Sequence, residues 1–348
     1  MNLRIMDKGE LKKFVQNLLA HYRVEGVVKN NGAYLYDTID SPEQLCMDFD
    51  CTRYPPKKYF LPPRETLFHF STSPELEVSP VFESPPQVIF GIHPYDLKAI
   101  AILDKVFSKD PPDPHYLKRR EASFLIGVDP KRISPHSFWA DMGAASVNEG
   151  FDLMFTDLED SYAVEIGSAS GETLISTYAR TQPATGDEKS KRVTLRTNLY
   201  SKSLINGLDF PSYEIPKLLE HSKESPIWRE NANKCLSCGA CNFVCPTCYC
   251  FDVQDEMDLD LKQGTRYRKW DGCLLKDFAK VGSGENFRES RTARYRHRFY
   301  RKGLYQLDTL QDFACVGCGR CASACLADIA DPVRVFKKLK QEYREGGK

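Results

Sequence analysis

The chain has 348 residues, 41% hydrophobic and 28% charged, with 20 Phe and 17 Tyr. That is too apolar for disorder and longer than one compact core usually takes, so two domains are expected. Lys+Arg and Asp+Glu both total 48, which leaves no whole-chain reason to expect nucleic acid or an anionic membrane as partner. No stretch approaches the ~20 apolar residues of a membrane helix, and Met1-Asn2-Leu3-Arg4 does not begin a signal peptide; a cytoplasmic protein without a membrane span is expected.

Along the chain, Asp7–Ala20 places Leu11, Phe14, Val15, Leu18 and Leu19 on one face at helical spacing, which predicts an amphipathic helix. Tyr54–Glu65 contains Pro55, Pro56, Pro62 and Pro63 and predicts an exposed ribbon or ordered arm rather than a helix. Gln87–Ile92 is a short apolar run ended by His93-Pro94 and followed by the helical pattern Leu97, Ile100, Ala101 and Asp104, a strand, loop and helix unit. Ser123–Val128, Phe151–Phe155 and Tyr162–Ile166 predict three further strands. Residues 1–180 are therefore expected to form an α/β (or α+β) scaffold and docking domain. A polar stretch and helical connection should follow over 181–230, and a separate cysteine-rich domain over 231–348.

The cysteines carry the chemistry. Of 13, only Cys46 and Cys51 precede residue 235, and eleven lie between Cys235 and Cys325. In a cytoplasmic chain of this size such clustering points to metal ligation rather than disulfides. Cys235, Cys238, Cys241 and Cys245, followed by Pro246, give C-x2-C-x2-C-x3-C-P, the bacterial ferredoxin run for a [4Fe–4S] cluster; Cys315, Cys318, Cys321 and Cys325 repeat the spacing with Leu326 in place of proline. In two-cluster ferredoxins the fourth cysteine of each run serves the other cluster. The assignment is thus Cys235, Cys238, Cys241 and Cys325 for one cluster and Cys315, Cys318, Cys321 and Cys245 for the other, which requires the two runs to be adjacent. Gly239, Gly317 and Gly319 suit close backbone approach to sulfur. The fold expected for 231–348 is a ferredoxin-like dicluster domain with a long insertion, 246–314. Two structural zinc sites are the alternative, because C-x2-C pairs also build zinc ribbons, but two intact four-cysteine runs exceed what zinc needs.

Cubanes held by thiolates are anionic and need offsetting charge. Between Arg266 and Lys302 there are twelve Lys/Arg, Arg288, Arg291, Arg294, Arg296, Arg298 and Arg301 among them, against four acids. Residues 231–348 hold 21 basic and 15 acidic residues, against 27 and 33 in the part before. Charge compensation with partner docking is the reading preferred over a zinc-stabilised interaction or nucleic-acid-binding module. Cys248, Cys250 and Cys273 could be ligands of a further cluster or small apolar packing, and Cys46 and Cys51 are expected to be buried free thiols. His93 is assigned no catalytic role, and Glu121, Asp157 and Asp160 have the spacing of ordinary turns. Nucleotide loops and nucleophile elbows are missing from the sequence, so no catalytic residue is assigned.

Arg53-Tyr54-Pro55-Pro56-Lys57-Lys58, Phe90-Gly91-Ile92-His93, Lys118-Arg119-Arg120-Glu121, Gly150-Phe151-Asp152-Leu153, Cys245-Pro246-Thr247-Cys248-Tyr249-Cys250, Trp270-Asp271-Gly272-Cys273, Glu285-Asn286-Phe287-Arg288 and Cys315-Val316-Gly317-Cys318-Gly319-Arg320-Cys321 together resemble the iron–sulfur beta subunit of cytosolic [NiFe] hydrogenases (sulfhydrogenases) and the A component of anaerobic sulfite reductase. The resemblance implies an electron relay with no substrate site of its own. It would pass single electrons between a flavin/NAD(P)H-binding subunit, which carries the FAD and NAD(P), and a catalytic partner of the [NiFe] hydrogenase kind or, alternatively, of the sulfite reductase kind. Sulfhydrogenase-type relatives also carry four N-terminal cysteines: one after the strand-ending His, one after the next strand, and a Cys-Phe-Cys pair beyond. Here those regions read His93-Pro94-Tyr95-Asp96, Val128-Asp129-Pro130 and Pro135-His136-Ser137-Phe138-Trp139, so the N-terminal cluster is expected to be lost and two [4Fe–4S] clusters retained, a further one being possible only at Cys248, Cys250 and Cys273.

Overall fold

The computed structural model describes residues 2–346. Its strands are β1 (Asn2–Asp7), β2 (Arg23–Asn30), β3 (Ala33–Thr38), β4 (Arg64–Ser71), β5 (Glu77–Pro80), β6 (Gln87–Ile92), β7 (Ser123–Val128), β8 (Leu153–Asp157), β9 (Ser161–Ile166), β10 (Gln182–Pro183), β11 (Phe251–Met257) and β12 (Gln263–Trp270). The α-helices are α1 (Lys8–Leu19), α2 (Pro94–Phe107), α3 (Pro114–Glu121), α4 (Ala169–Tyr178), α5 (Gly186–Ser203), α6 (Ile215–His221), α7 (Ile227–Lys234), α8 (Ala240–Phe243), α9 (Arg291–Tyr300), α10 (Leu307–Leu310), α11 (Arg320–Ser323) and α12 (Pro332–Gly346).

An eight-stranded mixed sheet in the order β10-β1-β9-β8-β7-β6-β2-β3 organises the N-terminal part. Its centre, β2-β6-β7-β8, is parallel and the flanks are antiparallel. Central parallel strands are covered on both faces, which is why β6 and β7 read as near-continuous apolar runs. The pleat sorts their side chains. Val88, Phe90, Ile126 and Val128 pack against Phe14, Val15 and Leu18 of α1 and Leu174 and Ile175 of α4, whereas Ile89, Ile92 and Leu125 pack against Leu97, Ile100 and Leu103 of α2 and Tyr116 of α3. At Gly91 the register slips between Phe90 and Ile92, with φ at 95°, so Ile92 returns to the α2 face. A Cβ at this glycine would meet Val27 Cγ2 at 2.9 Å.

A second sheet, β11-β12-β4-β5, joins distant parts of the chain: β12, in the stretch between the cysteine runs, pairs with β4 from the first hundred residues. At its heart Glu65 is buried and accepts hydrogen bonds from Arg119 and Arg268, and Arg268 also reaches Asp113. The proline-rich segment that precedes β4 is not an exposed ribbon. Pro56–Tyr59 form a 3-10 turn, with Pro55 and Pro56 at positions where a missing N–H leaves no gap, and Phe60 and Leu61 enter the core. The arm is held by Trp270, whose Nε1 donates to Leu61 O at 2.9 Å, and by the Lys57 ammonium 4.3 Å above the Trp270 ring.

The third core surrounds the cysteine runs. Trp228 of α7, Tyr295 and Phe299 of α9 and Val335, Phe336 and Leu339 of α12 pack together with Cys235, Cys241 and Cys321, and Phe138 from the N-terminal part completes the group.

Glu65→Ala would leave Arg119 and Arg268 buried without their shared carboxylate. The expected loss is about 3–5 kcal/mol, read anaerobically as a lowered guanidinium midpoint with an unchanged slope.

Candidate metal centres

The two cysteine runs fold into the same loop. In each, the second residue after the first cysteine is left-handed, Ser237 at φ 52° and Gly317 at φ 66°, and so is the fourth, Gly239 at φ 74° and Gly319 at φ 78°. The fourth residue then caps a four-residue helix, α8 or α11, that carries the third cysteine. This backbone turns N–H groups toward sulfur: Ser237 N donates to Cys235 Sγ at 3.4 Å, and the Gly317 N–H serves Cys315 in the same way. The second loop is seated against the N-terminal part. Phe138 N donates to Gly317 O at 2.8 Å, and a Cβ on Gly317 or Gly319 would lie 2.6 Å from the carbonyl of Phe138 or His136 respectively.

Two cavities open between these loops. One is lined by Cys315, Cys318, Cys321 and Cys245. The other is lined by Cys235, Cys238, Cys241 and Cys325. Each therefore brings together three thiols of one run and the fourth of the other. All of these cysteines are free. Among the described residues no three Cys, His, Asp or Glu side chains close on a point that could hold a single metal ion. The second cavity reaches solvent, for Cys238 is exposed and Leu236 and Leu326 at its rim are 66% and 91% exposed.

Burial pushes the Cys241 and Cys315 thiols up to about 12, since a buried thiolate without iron is poorly solvated. Cations oppose this. Of the twelve basic residues between 266 and 302, Arg268, Arg294, Arg298 and Lys302 are buried. Arg268 is bound up in the second sheet, and Arg294 donates to the carbonyls of Leu274, Arg288 and Glu289 and from Nη2 to Ser237 Oγ at 3.5 Å. Lys302 lies in a π-helical turn, Arg301–Tyr305, lines the first cavity and donates from Nζ to Thr247 Oγ1 at 2.7 Å. Its ammonium is stabilised by the nearby Cys245, Cys248 and Cys315 sulfurs against the cost of burial. Arg298 lines both cavities. The helical spacing of Arg294, Arg298 and Lys302, interleaved with the apolar Tyr295 and Phe299, separates these inward charges from the rest of the basic stretch.

Cys248, Cys250 and Cys273 line neither cavity. Asn242 Nδ2 approaches Cys273 Sγ at 3.3 Å and Cys248 Sγ at 3.8 Å, and a hydrogen bond from Cys248 holds the Cys245 thiol well below its ordinary value. Cys46 and Cys51 are free and partly exposed as residues, though the Cys51 thiol itself points inward, where burial pushes its pKa up, and lies 3.8 Å from Cys318 O. Asp50–Thr52 sit on the second loop because Arg320, 3% exposed, donates to Thr52 O at 2.7 Å and to both Asp96 carboxylate oxygens at 2.6 Å. His93 is also interior: Nδ1 bonds Val128 O at 2.8 Å, the ring stacks on Phe49 at 4.1 Å, and burial pushes its pKa down. Glu121, Asp157 and Asp160 do not meet at a site; Asp157 pairs with Lys8 and Lys131.

Residues 234–329 match the family model of the 4Fe-4S dicluster domain. Over 334 residues, 96% of this chain and 96% of the relative, the sequence is 32% identical to sulfhydrogenase 2 subunit beta of Pyrococcus furiosus. The chain belongs to the sulfhydrogenase beta-subunit family. His93 stacks on Phe49 and lies tilted against Tyr95, and Tyr95, Trp139 and Ala140 form one apolar cluster with Val316 and Cys318. Among the described residues, no helix is long and apolar enough to cross a membrane.

The Arg320–Asp96 pair ties the second loop to α2 at full burial. Arg320→Met should cost about 3–5 kcal/mol of unfolding free energy, because Asp96 is then buried alone, and the Asp96→Asn/Arg320→Met double variant should lose less than the single one.

Proposed function

We propose that this chain is an electron-transfer subunit whose eight run cysteines hold two [4Fe–4S] clusters, one on Cys235, Cys238, Cys241 and Cys325 and the other on Cys315, Cys318, Cys321 and Cys245. The observation that carries this reading is the exchange of the fourth cysteine between two adjacent cavities, an arrangement useful to paired cubanes. When bound, such clusters supply one-electron couples. The chain's own groups supply the setting: backbone N–H groups donate to sulfur, Arg298 and Lys302 offset thiolate charge, and the aromatic core of α7, α9 and α12 excludes water. Cys248, Cys250 and Cys273 act in this reading as packing and hydrogen-bonding neighbours of the ligands, not as a third ligand set.

The relay joins a flavin/NAD(P)H-binding subunit to a catalytic redox subunit of the [NiFe] hydrogenase kind, in keeping with the relative's description as a sulfhydrogenase subunit. FAD and NAD(P) belong to the partner. Exchange with one partner takes place at the rim formed by Leu236, Cys238 and Leu326, where the second cavity meets solvent.

Anaerobically purified protein should be brown, with about eight irons and as many sulfides per chain. About twelve irons would bring Cys248, Cys250 and Cys273 into a third ligand set, and a colourless zinc protein would end the relay reading. Cys238→Ala should abolish electron transfer between flavin and acceptor subunits while circular dichroism shows the sheet intact; retained full-rate transfer would contradict the role.

A further inference from the structure

Of the other buried arginines, Arg320 pairs with Asp96, Arg268 with Glu65 and Asp113, Arg119 with Glu65 and Arg192 with Glu165, while Arg294 donates to the carbonyls of Leu274, Arg288 and Glu289. Arg298 has neither a carboxylate nor such a set of carbonyls. It is 4% exposed, its Nε has no hydrogen-bond partner, its Nη2 reaches Cys241 O at 3.5 Å, and its guanidinium hydrogen-bonds the Cys321 sulfur. Among the described residues no carboxylate forms an ion pair with it. The groups that favour its charge against burial are the sulfurs of Cys241, Cys321, Cys245 and Cys248. A bare buried guanidinium costs several kcal/mol, so its place in the core calls for anionic neighbours in the working protein. Those neighbours lie on two sides at once, because Arg298 is the wall that the two cavities share.

Resting on the cluster assignment made above, we propose that Arg298 is a positioning residue held in common by both cluster sites, a single fixed positive charge that raises the reduction potential of each. The sign follows from electrostatics: reduction adds one negative charge to a cluster, and a cation at its edge stabilises the reduced form more than the oxidised one. Water cannot screen this charge in the interior as it would at the surface. Lys302 lines the first cavity alone, so it provides an internal control that acts on one site where Arg298 acts on both.

The test is EPR-monitored redox titration of the native protein and its variants, each with iron and sulfide counted first. Arg298→Met keeps the apolar bulk and removes the charge. At a fixed solution potential it should lower the ratio of reduced to oxidised cluster about tenfold at both sites, a fall of about 59 mV for a one-electron couple. Arg298→Lys should recover most of that loss, and Lys302→Met should shift one of the two midpoints and leave the other. Should the methionine variant hold fewer than two clusters, Arg298→Gln set against Arg298→Lys makes the same comparison of charge with shape. Two intact clusters with unchanged midpoints in the charge-free variant would overturn the proposal and leave the relay standing. A shift confined to one site, or a lysine variant displaced as far as methionine, would overturn it too. A native protein without clusters would overturn the assignment of the eight cysteines, and this proposal with it.

Discussion

Thiolates withdrawn from water must be met by positive charge and by N–H groups, and that requirement organises the cysteine-rich half of the molecule. Burial disfavours the anionic form of Cys241 and Cys315. The left-handed loop residues answer it locally by turning amides to sulfur, and α9 with the π turn after it answers it from a distance by sending Arg298 and Lys302 inward. The long stretch between the cysteine runs is thus part of the electrostatic enclosure of the sites. Its basic residues divide into those that serve sulfur, those that hold sheets together and those left at the surface.

The N-terminal part meets the same need by a different route. Its mixed sheet places the end of β6, the start of α2 and the segment around Phe138 against the second cysteine loop, where Gly317 and Gly319 permit backbone contact that any side chain would block. Arg320 then fixes the loop to Asp96 and Thr52. Rings line this contact: His93 stacks on Phe49, and Tyr95 and Trp139 pack with Val316 and Cys318 beside the second loop.

The strands at the centre of the sheet were legible in the sequence because burial on both faces writes an unbroken apolar run, as in Gln87–Ile92 and Ser123–Val128. The eight thiols were legible because cluster ligation imposes spacing. The flanking strands β1, β2 and β3 and the whole second sheet were not: β11 and β12 are rich in charge with no alternating apolar face, and the pairing of β12 with β4 encloses ions such as Glu65 and Arg268, brought together from distant sequence. The proline arm misled for a related reason, since its prolines set backbone angles while Phe60 and Leu61 decide burial. Arg298 looked like Arg296. Two positions along one helix separate a solvated charge from an interior one, and only the packing of Tyr295 and Phe299 tells which way each points.

The pairing of β4 with β12 also bears on how the chain can be assembled. A strand completed near residue 70 waits for a partner about 200 residues downstream, so during synthesis its edge stays open until the first cysteine run has already emerged. The molecule is therefore poorly suited to being divided into transplantable modules: a ferredoxin-like half expressed alone would carry a naked β-ribbon with a buried arginine turned toward missing carboxylates.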